Sequence, residues 1–175
     1  MNKIASALVT GLLIAGVAPA GALAASGGAA APTADSGTWD DCNVLVSVSE
    51  PGPNLIVTVG ITENYHGMLE GTYAGTERDV VYANGTATFH GSGTFSGTVA
   101  GLTGTGHLSY EGAVGTSGVM PATGPHSGKW VLTGETGGLA SVVARGNWGA
   151  EFLGISDACD AGLYGGAYSG QVVAR

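Results

Sequence analysis

The chain has 175 residues, among them 33 glycines, 13 Asp or Glu and only 5 Lys or Arg, for a formal charge of −8. So few cations argue against binding nucleic acid or an anionic membrane, whose phosphates are met by Lys and Arg. The length suits one domain behind a short leader.

In chain order, Lys3 supplies a positive start and Ile4 to Ala18 forms an apolar stretch too short to span a bilayer. Ala22-Leu23-Ala24 is a small-x-small cleavage site, so residues 1–24 read as a secretory signal peptide. A secreted protein, extracellular or in the cell envelope, is expected. Residues 25–36 are Ala/Gly/Pro-rich without periodicity and read as a flexible leader. Residues 37–175 then form a single domain. Its apolar runs are short and broken by Gly and Thr, so no membrane insertion is expected.

Helix signals are nearly absent from this domain, because Gly and Thr are poor helix formers. Val44, Val46 and Val48 alternate with polar residues in a first strand, and Pro51-Gly52-Pro53 breaks it. Leu55, Val57, Val59 and Ile61 mark one face of a second strand that ends near Tyr65, with a turn at His66-Gly67. A third strand, Met68–Val81, carries Leu69, Gly71, Tyr73 and Gly75 on one face. Asn84-Gly85 is a strong hairpin dipeptide, since both residues tolerate positive φ.

The stretch from Thr86 to Val114 alternates with a period of two, which requires strands with one wet and one dry face. Ala87, Phe89, Gly91, Gly93, Phe95, Gly97 and Val99 share the first dry phase. The phase flips at Gly101, and Leu102, Gly104, Gly106, Leu108, Tyr110, Gly112 and Val114 form the second. Thr116–Ser127 reads as a loop. Lys129–Thr136 places Trp130, Leu132 and Gly134 on one face, and Gly137-Gly138 turns the chain. Ala140, Val142, Ala144, Gly146 and Trp148 share the next face. Glu151–Gly162 reads as a tethered loop, and Ala167–Ala174 as a closing strand.

Cys42 and Cys159 are the two cysteines, and in an oxidising compartment such a pair is most simply a disulfide. Closing so long a loop gives about 4–5 kcal/mol in the chain-entropy model, with about 2–4 kcal/mol typical in practice.

About eight antiparallel strands with short turns predict an all-β protein, an antiparallel closed barrel that leaves no exposed edge. A two-sheet sandwich is the alternative. Glycines repeated beside Phe89, Phe95, Leu102 and Tyr110 on the dry face allow sharp bending and let an aromatic lie over a neighbour's glycine. Either the rings fill the barrel, or the missing side chains leave room for a guest.

The order Phe-x-Gly, Gly-x-x-Gly, Gly-x-Gly, then the Gly128-Lys129-Trp130 strand, then Thr136-Gly137-Gly138-Leu139-Ala140 with Gly146 displaced by one, carries a resemblance. Over Leu69–Trp148 the chain resembles a group of small actinobacterial secreted barrels of unknown function, which look like relatives of the allene oxide cyclase fold. The resemblance implies an eight-stranded barrel with a central cavity. It transfers no catalytic residue, and the Cys42/Cys159 pair departs from the plant cyclases. Ser36-Gly37-Thr38-Trp39 and Gly71-Thr72-Tyr73 are also similar to the opening strands of avidin-like barrels, although the tryptophan pattern that cages biotin is missing.

No catalytic signature stands out. His66, His90, His107 and His126 are widely separated, no metal-ligand spacing exists, and no cofactor motif is present. His90 and His107 fall in the polar phase and should face solvent. Glu63 falls in the apolar phase of the second strand. If the strand continues, it brings an inward carboxylate with no apparent partner and a raised pKa, a candidate acid, base or anchor. If the strand stops earlier, Glu63 reaches water. Tyr65, Tyr73, Tyr110, Trp130 and Trp148 are the candidate ligand-binding residues of a pocket, or else core packing. Three functions follow: a binding module for a small apolar or amphipathic molecule, a cyclase or isomerase, or a structural protein with a filled barrel. No residue pattern sets an oligomeric state.

Overall fold

The computed structural model describes residues 31–115 and 123–175. The signal-peptide reading and most of the loop expected over 116–127 lie outside these residues. Eight strands follow one another: β1 (Thr33–Ser49), β2 (Leu55–Gly67), β3 (Leu69–Val81), β4 (Ala87–Val99), β5 (Leu102–Val114), β6 (His126–Gly134), β7 (Val142–Ser156) and β8 (Cys159–Ala174). Each pairs antiparallel with its sequence neighbours, and β8 returns to β1, so the sheet is a closed barrel rather than a sandwich. Closure satisfies every strand edge within the sheet, which suits a chain whose apolar residues supply only one dry face.

The alternating run folds as its phase requires, apart from Leu102, which the dry phase includes but which stands exposed beside the turn. Val99 pairs with Leu102 across a two-residue turn in which Ala100 (φ 50°) and Gly101 (φ 82°) are both left-handed. That turn matches the twist of the flanking strands. Phe89, Phe95, Leu108 and Tyr110 are buried, whereas His90 and His107 are exposed.

Four expectations are corrected. Thr33 to Ser36, read above as part of the leader, pair with β8 instead, and Asp35 is buried. Val44, Val46 and Val48 are exposed, and the buried side of β1 instead carries Asp35, Asp41 and Asn43. Glu151–Gly162 is not a loop but a hairpin, in which β7 runs to Ser156 and β8 begins at Cys159. Asn84-Gly85 sits in a longer connection, where Tyr82 N–H donates to Thr86 O (2.9 Å) and only Gly85 takes a positive φ. The Asn84 side chain accepts instead from Thr86 N–H (3.1 Å) and so holds the loop without left-handed backbone.

The two ends of the barrel differ. One end carries the β2–β3 and β4–β5 turns and a short 3-10 helix, Gly137–Ser141, that links β6 to β7. Leu139 from this helix plugs the end, together with fully buried Leu69, Val99, Leu108, Leu132 and Val142. The other end carries the β7–β8 hairpin, which the Cys42–Cys159 disulfide ties to β1 across a Cα–Cα distance of 5.2 Å. Asp160 of the same hairpin accepts a hydrogen bond from Leu45 N–H (2.8 Å). The disulfide is consistent with an oxidising, extracellular setting. No helix among the described residues is long and apolar enough to cross a membrane.

Candidate functional site

Between the plugged end and the disulfide-braced end the barrel holds a cavity of about 60 Å³, counted as space open to the centre of a water molecule. That is room for several waters or a small organic group. The aromatic side chains of the lining pack over glycines of the wall. A methyl group built on Gly112 would sit 2.5 Å from Phe89 Cε2 and 2.7 Å from Trp148 Cζ2, and one on Gly170 would sit 2.9 Å from Trp130 Cζ2. Each ring occupies the place of a missing side chain on another strand, Phe89 of β4 and Trp148 of β7 over β5, and Trp130 of β6 over β8. The two readings of the dry-face glycines are therefore both realised: the glycines are covered, and room remains.

Tyr65, Tyr110, Trp130 and Trp148 all line this space, as the dry phases predicted. Tyr73 does not. It is fully buried behind the lining, in edge contact with Tyr110 at 6.0 Å between ring centres. Trp39, Phe89, His126, Tyr164 and Tyr168 complete the aromatic surface. Trp148 links Trp39 (5.8 Å), Phe89 (5.5 Å) and Tyr110 (6.1 Å), so the rings brace one another in edge and tilted contacts.

β2 does not stop before Glu63. The strand continues to Gly67, and Glu63 points inward with 3% exposure. It is not partnerless, because Tyr65 O–H donates to it at 2.5 Å. Burial pushes its pKa up to about 7, and the Tyr65 hydrogen bond opposes the rise. Three more carboxylates share the lining. Asp41 faces Glu63 as its cross-strand partner, and Glu77 and Asp79 follow on β3. Asp41 accepts from Tyr164 N–H (2.9 Å), yet burial and then the Glu63 charge push it up to about 8. Burial raises Asp79 to about 6 and holds Glu77 well above the usual carboxylate range, the Asp79 charge adding to the latter. Burial also lowers His126 and raises Tyr65 and Tyr110.

The site thus has two unlike walls. All four carboxylates stand on β1, β2 and β3, while β4 to β8 contribute mainly rings and small apolar side chains. Asp41, Asn43, Glu77 and Asp79 were not singled out from the sequence, although a signal was present. Glu77 and Asp79 extend the odd phase of Leu69, Gly71, Tyr73 and Gly75, and Asp41 and Asn43 share the phase of Trp39. Among the described residues no group of three His, Cys, Asp or Glu side chains is placed to hold a metal ion.

The chain is similar in structure to a DUF3224 family protein of unknown function from Shewanella oneidensis MR-1. The TM-score is 0.60 at 15% sequence identity, over 83% of this chain and 98% of the other. The likeness extends to the barrel fold. No family model matches the sequence, and no curated protein matches it.

Proposed function

We propose that the protein is an exported binding module that holds a small amphipathic molecule in the mouth of its barrel. The observation that carries this reading is the cavity itself, apolar and aromatic on one wall and hydrogen-bonding on the other, which is the usual make-up of a small-molecule site. The amino-terminal signal pattern and the disulfide support export. The inward-phase rim residues Leu45 and Val48, exposed beyond the mouth, give the apolar part of a ligand a surface to lie on. Native mass spectrometry of the protein purified from its own culture medium tests the reading. A retained small molecule supports it, and a clean apo mass with no ligand taken up from a small-molecule library overturns it.

The Glu63–Tyr65 pair favours a second reading, a cyclase or isomerase of the kind the allene oxide cyclase resemblance implies. Glu63 lies on the cavity wall with a pKa near 7, the range suited to general acid–base work. This reading requires Glu63→Ala to abolish turnover while leaving ligand binding intact.

A further inference from the structure

We infer that the cavity selects an organic ammonium ion, its charge held by the carboxylate wall and its carbon skeleton packed on the aromatic wall. The inference rests on the cavity being a ligand site and adds the chemical class of the ligand.

Three observations carry it. First, the four carboxylates of the lining have no cationic partner. Arg78, Lys129, Arg145 and Arg175, the cations among the described residues, all stand exposed outside. A buried carboxylate with no cation beside it holds its proton rather than its charge, and a bound cation is the partner that would let this wall ionise. Second, four lining atoms are unpartnered, the Trp39 Nε1 donor, His126 Nδ1 and two acceptors on the acidic wall. Asn43 Oδ1 and Asp79 Oδ1 receive no hydrogen bond, although each residue is only 5% exposed. Asn43 spends its donor on Asp41 Oδ2 (3.4 Å), so its free atom is an acceptor like the carboxylates around it. Unmet acceptors call for a ligand rich in donors. Third, the opposite wall is lined by Phe89, Tyr110, Trp130 and Trp148, and aromatic rings attract cations through their quadrupoles.

The same features disfavour other classes. A carboxylate or phosphate ligand would meet four acids and no cation. A bare divalent metal would meet carboxylates that do not converge. An alkylammonium ion suits the mixed wall, and a cavity of about 60 Å³ limits the enclosed part to a head group and a few carbons.

Isothermal titration of the oxidised protein with n-butylammonium, n-pentanol and n-pentanoate tests this. The titrations are run at pH 9, above the values to which burial pushes Asp41, Glu63 and Asp79. The expected result is binding of n-butylammonium at least tenfold tighter than n-pentanol, and none of n-pentanoate. Asp79→Asn and Asn43→Leu should each weaken n-butylammonium at least fivefold and leave n-pentanol within twofold. Equal binding of the alcohol and the ammonium ion overturns the charge selectivity and leaves the cavity reading standing. Binding of none of the three overturns both. Ammonium binding that neither variant weakens overturns the assignment to this wall. Near-isosteric Glu63→Gln gives a second probe should either variant fail to fold.

Discussion

The two halves of this barrel are built from one sheet and do opposite work. At the plugged end, leucines and valines from β3, β4, β5, β6 and β7 close around Leu139 and are fully buried. At the braced end β1, β2 and β3 carry carboxylates, β4 to β8 carry mainly rings, and a cavity remains. The contrast teaches where stability comes from. Apolar burial near the plug supplies the driving force for folding. That surplus offsets the cost of unpartnered acceptors and desolvated acids at the mouth, so strain at the site is supported from a distance. The disulfide compensates in a second way. It pins the β7–β8 hairpin to β1 at the end that lacks a packed core.

Mutations that break this division should rank accordingly. Leu132→Ala, at the plugged end, should lose about 2–5 kcal/mol in urea unfolding, with ammonium affinity changed little. An equal effect on affinity would mean that the two halves are not separable. Cys42→Ser combined with Cys159→Ser should lose about 2–4 kcal/mol, read as a lower midpoint under oxidising conditions. It should also loosen ligand binding, because the tether lies at the mouth.

Proton linkage gives a smaller and distinctive effect. The groups facing the cavity are Asp41, Glu63, Glu77 and Asp79, with Tyr65, Tyr110, Tyr164, Tyr168 and His126. Burial raises the four carboxylates above their unfolded values, so the folded state binds more protons than the unfolded chain. Their contribution to stability is therefore full below about pH 4 and is lost as the pH rises through the folded values, reaching about 8 at Asp41. Thermal melts of the ligand-free protein should move to lower temperature between pH 5 and 8, by up to about 1.4 kcal/mol per pH unit for each proton retained. Asp35, also raised to about 6 by burial but at the plugged end, adds to the lower part of that window. Glu63→Gln should flatten the slope near pH 7, and a melting temperature that rises with pH would contradict the arrangement. An ammonium ligand should reverse the trend, since its binding favours the ionised wall. The smallest effect is expected outside the barrel, where His107→Ala on the exposed face should change stability by less than about 0.5 kcal/mol.

Much of this molecule was legible in the sequence, because a period of two is a local property. Alternation from Thr86 to Val114 fixed two strands, their turn at Gly101 and the outward direction of His90 and His107 without reference to any other part of the chain. The Cys42/Cys159 pair was legible from count and compartment. Phase also put Tyr65, Tyr110, Trp130 and Trp148 on the inner face. It is blind to depth along the barrel axis, and so Tyr73 shares their phase but lies behind the lining. The same blindness hid the acidic wall. Asp41, Asn43, Glu77 and Asp79 stand in the inward phase of their strands, where polar residues read as solvent-facing until the sheet is known to close. Phase, set by the backbone pleat, belonged to the sequence. Closure, register and the packing of rings over glycines of other strands arise from contacts between distant residues, and only the tertiary structure decided that the barrel is packed at one end and hollow at the other.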